Sequence, residues 1–263
     1  MSVTLIACMM LIGGLGGFAA GLLGFGGGVV MFPLLYYIPP IFGIPSLDAR
    51  TVAAVVVSQV FFSTVAAGIA HLRNRRVQWW LVIVAGSLSA IGSFVAGAAS
   101  VLFSERFLLV LFALVTLLVA GMMLLKPPPE AQEDLLSDSV AVPLVPLALV
   151  SLVIGLIVGF LGAGNFIFVP LLIYVLKVPT RIAIASSLLI AMMNTSFGFL
   201  GKLVTGQIPL FLTTLVVSGA MVGALLGESV HRRVPTRALR RIYASMVVII
   251  AARVWITLLA SLR

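Results

Sequence analysis

Two glycine clusters are the places in this chain where chemistry is possible. Gly24, Gly26, Gly27 and Gly28 fall within residues 21–33; Gly162 and Gly164, followed by Asn165, fall within residues 159–170. In a soluble protein, glycines this dense would read as a phosphate-cradling loop. Here no strand precedes them, no Lys-Ser/Thr pair follows, and both clusters lie inside apolar runs, so the nucleotide reading fails. In hydrocarbon, a glycine cluster lets a helix stop, turn its amides inward and restart, which is tolerated only where the broken backbone is buried in protein or lines a cavity. The first amides of a restarted helix bind an oxyanion and carry a partial positive charge. The chemistry expected is reversible capture of a small anion by backbone, without a fixed cation whose grip would slow release.

Polar side chains at helical spacing could complete such a site. Gln59, Ser63 and Thr64 lie in one apolar segment; Ser186, Ser187, Asn194, Thr195 and Ser196 lie in another, with Ser187 and Asn194 on one helical face. A serine or threonine in a membrane helix usually bonds its own backbone, the reading for Ser63, Thr195 and Ser196. Asparagine and glutamine are costlier in lipid and must point into the bundle. Gln59, Asn165 and Asn194 therefore serve either as interhelical glue or as substrate contacts. His71 and Lys202 end corresponding segments, where they either draw anions towards the mouths of a path or snorkel to the interface.

The elements that must position these residues are membrane helices. The chain is 263 residues long, 62% hydrophobic and 9% charged, with mean hydropathy +1.28, a composition no soluble domain of this length shows. Apolar segments run at about 3–23, 28–44, 49–72, 77–103 and 106–125, then 143–161, 166–178, 181–203, 207–229 and 238–261. The first is expected to be a retained span and not a signal peptide, since no Lys or Arg precedes it. A single cysteine, Cys8, rules out an intrachain disulfide and a multi-cysteine metal site. Net charge is +9, yet four of the seven acids sit in one linker and the rest near span ends, so no carboxylate is expected at mid-membrane. That tilts the substrate towards an anion or a neutral molecule.

The acidic, proline-rich stretch 126–141 divides the chain into a first transmembrane repeat, 1–125, and a second, 142–263. Sliding one half on the other pairs 21–26 with 159–164; a second register places His71 on Lys202 and Ser63 on Asn194. Arg73, Arg75 and Arg76 put the loop after the third segment of the first half in the cytoplasm. Arg232, Arg233, Arg237, Arg240 and Arg241 do so for the loop after the fourth segment of the second half. Equivalent loops then lie on opposite sides, the expectation for inverted repeats in which each glycine-broken region crosses an even number of times. A single broken crossing would instead make the halves parallel.

Together these residues resemble the sulfite exporter TauE/SafE family of sulfite, organosulfonate and related anion transporters. The resemblance covers nearly the whole chain and rests on 21–33, 70–79, 162–170 and 179–194. It implies an all-helical, multi-pass protein of a prokaryotic plasma membrane and a substrate class of small sulfur oxyanions, with export by alternating access at a midplane site as the expected mechanism. The glycines of both clusters, Gln59, Asn165, Ser186, Ser187 and Asn194 would line that site. Three positions depart from the family's pattern: Asn165 replaces a glycine pair, Val55-Val56 replace Thr-Ser, and Lys202 replaces a histidine. The readings kept beside this one are another small anion, a neutral sulfur compound, and a non-transporting membrane assembly factor. An intramembrane enzyme lacks a nucleophile–base or metal constellation. No catalytic residue, metal or cofactor is expected; the partners are the lipid bilayer and the small anion, not nucleic acid, with a homo-oligomer left open.

Overall fold

The structure, a computed structural model, describes residues 3–23, 27–71, 77–124, 143–176, 178, 180–231, 233–234 and 236–260. Helices α1 (Val3–Leu23), α2 (Gly28–Tyr37), α3 (Ala49–His71), α4 (Trp79–Ala99) and α5 (Glu105–Leu124) precede the linker. After it come α6 (Leu144–Leu161), α7 (Phe168–Tyr174), α8 (Thr180–Val204), α9 (Leu210–His231) and α10 (Thr236–Ala260). Among the described residues no strand occurs. Seven helices, α1, α3, α4, α5, α6, α8 and α9, are long and apolar enough to cross a membrane. The protein is thus an all-α, multi-pass membrane protein. Helix α10, expected as a span, is as long as α8 but carries Arg237, Arg240, Arg241 and Arg253, and stands outside those seven. The arginines Arg73, Arg75, Arg76 and Arg232 lie outside the described residues, as does the whole of the linker 126–141.

Lipid tails are as apolar as leucine, so the hydrophobic effect does not drive these helices together; close packing of small residues does. The seam between α1 and α9 shows how. Gly13, Gly17 and Gly21 lie on the backbone of Val216, Ala220 and Ala224, while Gly219, Gly223 and Gly227 lie on that of Met10, Gly14 and Phe18. A β-carbon at any of these six would overlap main-chain atoms that cannot step aside. The paired numbers rise together, so the two helices run parallel. The same is true of α4 and α6, where Gly155 meets Ser89 and Gly159 meets Ser93. It holds again for α4 and α8, where Gly86 meets Met193 and Gly201 meets Phe94 and Ala98. Large apolar side chains such as Leu117, Leu118, Leu225, Leu226 and Ile249 are left on the outer surface, as a bilayer solvent allows.

Arg50 Nε donates to the Phe103 carbonyl at 2.8 Å, and the Glu105 carboxylate accepts the Ala49 N–H at 3.0 Å. These bonds tie the start of α3 to the α4–α5 turn and satisfy one of the orphan amides at the α3 N-terminus. Arg253 lies over the Tyr37 ring, 5.5 Å from its centroid, which fastens α10 to α2.

Candidate functional site

The first glycine cluster makes a helical hairpin. Helix α1 ends at Leu23, and Gly27 (φ 62°, ψ 5°) caps α2 in the left-handed conformation that a side chain disfavours. Gly27 rests on the backbone of Gly16 and Ala20, and the Met31 thioether packs on Gly16. The chain therefore doubles back along α1 instead of continuing beyond it. The amides of Val30 and Met31 both bond the Gly27 carbonyl, at 3.0 and 3.1 Å, so α2 starts from that residue. Gly24 and Gly26 lie outside the described residues.

The second cluster turns more tightly. Gly162 (φ 68°) closes α6 with its N–H on the Val158 carbonyl at 2.7 Å, a C-cap position where glycine carries no steric penalty. A 3-10 turn, Asn165–Ile167, leads into α7, and the Tyr243 hydroxyl of α10 donates to the Phe166 carbonyl at 2.8 Å, fixing that turn. The two clusters meet. A β-carbon built on Gly28 would lie 3.0 Å from the Ala163 β-carbon and 3.2 Å from Val60 Cγ2, and Gly162 sits on the α3 backbone at Ala53 and Val57.

Beside this junction lies a buried amide pair. Asn194 Nδ2 donates to Asn165 Oδ1 at 2.7 Å, and both residues are almost wholly enclosed. Asn165 Nδ2 and Asn194 Oδ1 have no partner. Exchanging O and N in both amides changes which residue supplies which group but still leaves one spare donor end and one spare acceptor. Gln59 follows the same pattern on α3: its Nε2 donates to Ser63 Oγ at 2.9 Å, and its buried Oε1 is unpartnered. Buried polar atoms normally find a partner, so these three unpartnered groups make Gln59, Asn165 and Asn194 the candidate ligand contacts around the junction.

Other expected residues fall elsewhere. Ser186 is buried but accepts the Gln78 N–H at 3.3 Å at the start of α4, about 12 Å along α8 from Asn194 at 1.5 Å per residue. Ser187 is equally enclosed, about 10 Å away on the same scale. Thr195 and Ser196 bond the carbonyls of Ala191 and Met193 in their own helix, as expected, whereas Ser63 accepts from Gln59. Val55 and Val56 are fully buried core. His71 ends α3, and its side chain is outside what the structure describes. Lys202 neither snorkels nor opens to a mouth: it is fully enclosed, donating to Ser100 Oγ at 2.6 Å. Ser100, Gln207 and Tyr243 were not legible as partners in the sequence, since each contact spans more than a helix hairpin and none has a motif. A cleft of about 530 Å³ lies between α2, α5 and α10, lined in part by Tyr36, Tyr37, Glu105 and Arg106, away from the junction.

Comparison with known proteins decides what this architecture is. The profile described as sulfite exporter TauE/SafE matches residues 9–254. The chain belongs to the TauE/SafE family. A probable membrane transporter protein of Xylella fastidiosa is 30% identical over 258 residues, covering 94% of this chain and 95% of that protein. The probable membrane transporter protein YunE of Bacillus subtilis is 22% identical over 260 residues, covering 93% and 95%. No solved structure matches. As a TauE/SafE protein the chain is a membrane transporter, working in a lipid bilayer on a small substrate.

Proposed function

We propose that this TauE/SafE transporter exports a small sulfur oxyanion, sulfite or an organosulfonate, by alternating access around the junction of its two glycine turns. The observation that carries the reading is the meeting of Gly28 with Ala163 next to an Asn165–Asn194 pair that keeps a spare donor and a spare acceptor. Backbone amides at the start of α2 would face the anion, with Asn165, Asn194 and Gln59 setting its orientation. No described carboxylate belongs to this junction: Glu105 holds α3, Glu228 lies on the α1–α9 seam, and Asp48 precedes α3. An anion therefore meets no fixed negative charge there.

Alternating access needs two halves that can rock against each other. In support, α1 runs parallel to α9, while α6 and α8 run parallel to α4. The short connection 205–209 reverses the chain between α8 and α9. By that chain of directions α1 and α6, the first helices of their halves, point oppositely, which favours inverted repeats with a boundary in 126–141. With the arginine-rich loops inside, the turn 205–209 faces outward.

The spare acceptor refines the substrate. A fully deprotonated oxyanion offers only acceptors, so a ligand that also donates one hydrogen bond, such as hydrogensulfite, satisfies both ends of the amide pair. The test is sulfite flux in proteoliposomes, with sulfate, thiosulfate and a small sulfonate as competitors. Saturable sulfite flux, inhibited by one of these and lost in folded Asn165→Ala, is the expected result. Full flux in that variant would remove the amide pair from the site, and no anion flux from folded protein would overturn the transport reading.

A further inference from the structure

The face of α8 that carries Asn194 continues through Gly198 to Lys202, residues spaced by four, and α4 brings Ser93 and Gly97 against it at Gly198. The ammonium of Lys202 is completely enclosed, and among the described residues its one partner is Ser100 Oγ at 2.6 Å. No carboxylate of the described residues is within ion-pair reach of it. The elements packed on α8 supply none: α4 and α6 hold no titratable side chain, and the charged groups of α3 are Arg50 and His71 at its two ends. An enclosed ammonium that keeps unused N–H donors and has no counter-charge is costly, unless an anion completes it.

A second, separate observation lies one turn deeper. Ser93 Oγ is fully buried, has no partner, and is directed at Gly198, between Asn194 and Lys202. Over Lys202 sits a polar cap. Ser100 Oγ lies 2.7 Å from Gln207 Oε1; Gln207 Nε2 donates to the Gly97 carbonyl at 3.0 Å and to the exposed Thr205 hydroxyl at 2.6 Å. Gln207 is half-buried beside the lysine's partner, held by these side-chain bonds and by its N–H on the Lys202 carbonyl at 3.0 Å.

We propose that Lys202 and Ser100 form a second, occluded anion station on the α4–α8 seam, with Ser93 on the way to it from Asn194 and Gln207 as its removable cover. The ligand is a small oxyanion, and this rests on the transport reading above. The station lies about 12 Å from the amide pair, eight helical residues at 1.5 Å each. The anion leaving the junction exchanges its amide partners for the ammonium, and the swing of Gln207 releases it.

Equilibrium binding of radiolabelled sulfite to the purified full-length chain, with flux in proteoliposomes alongside, tests this. Lys202→Gln should weaken binding about tenfold or more, the loss expected when a charged hydrogen bond to a ligand is removed. Lys202→Arg, which keeps the charge, should retain most of it. Gln207→Ala should leave affinity nearly unchanged and speed sulfite dissociation severalfold, an effect that does not depend on Lys202→Gln folding. Wild-type affinity in folded Lys202→Gln, or an unchanged dissociation rate in Gln207→Ala, overturns the station while leaving the junction and the transport reading in place. Failure of the wild-type chain to bind any of the four anions overturns both.

Discussion

The two glycine turns occupy corresponding places in the two halves, yet they are built for different work. In the register that pairs 21–26 with 159–164, Gly27 falls on Asn165; in the register that pairs His71 with Lys202, Ser63 on α3 falls on Asn194 on α8. The first turn is backbone alone: a left-handed glycine folded onto α1, with its nearest polar side chains, Gln59 and Ser63, already bonded to each other on one helix. The second turn bears its own amide, and that amide reaches across to α8. On the proposed reading, backbone holds the ligand at both turns, and Asn165 adds a side chain that reads its orientation and protonation.

The comparison breaks most visibly at the glycines the two turns share in kind. Gly162→Leu forces a side chain into a left-handed backbone, which alone costs about 1–2 kcal/mol, and drives it into the main chain of α3 at Ala53 and Val57. Gly27→Leu meets the same two obstacles at Gly16 and Ala20. Both variants should lose folded protein, read as yield of monodisperse material and thermal midpoint; a folded, active Gly162→Leu would show that α3 is not where it is described. Next comes the amide that only the second turn has. Asn165→Ala and Asn194→Ala each orphan a buried group, at about 1–3 kcal/mol, and should lower sulfite flux by about tenfold or more. Asn165→Leu with Asn194→Leu removes both partners and should recover stability relative to either alanine variant without recovering flux. If flux returned with stability, the pair would be structural.

A smaller effect is expected in the first half. Gln59→Leu gives up one side-chain hydrogen bond and a free acceptor, so flux should fall a few-fold at most, with stability changed by about 1 kcal/mol or less. A loss as deep as that of Asn165→Ala would mean that recognition is shared equally between the halves. Smallest of all is Gly121→Ala, at a helical glycine with nothing within 4 Å of the added carbon. It should leave flux untouched and raise the thermal midpoint slightly, since alanine is favoured over glycine inside a helix by about 1 kcal/mol.

The helices and both turns were legible in the sequence because hydrophobic length and glycine density are local signals: α1 ends at Leu23 and α2 begins at Gly28, where the apolar run is interrupted. The partners were not. Asn165 and Asn194 stood out as costly in lipid, but nothing local says that they bond each other and leave one group of each unpaired. Lys202 misleads for a physical reason. A lysine near a helix end ordinarily extends to water, and its enclosure depends on Ser100 and Gln207, brought over it by the α4–α8 seam. The parallel registers of the glycine seams were equally hidden, since small residues spaced by four say that a helix packs closely without saying against what.

The seam between α1 and α9 also sets a timetable. Gly13, Gly17 and Gly21 of α1 wait for partners roughly 200 residues later in the chain, which at about 5–20 residues per second is on the order of 10–40 s of synthesis. During that interval the first helix stands in the membrane with its bare backbone stripe unmatched, open to any other small-faced helix nearby. A chain severed in the 126–141 stretch would yield two fragments, each exposing half of two such stripes. The fragments should be unstable when made singly and should find each other when made together.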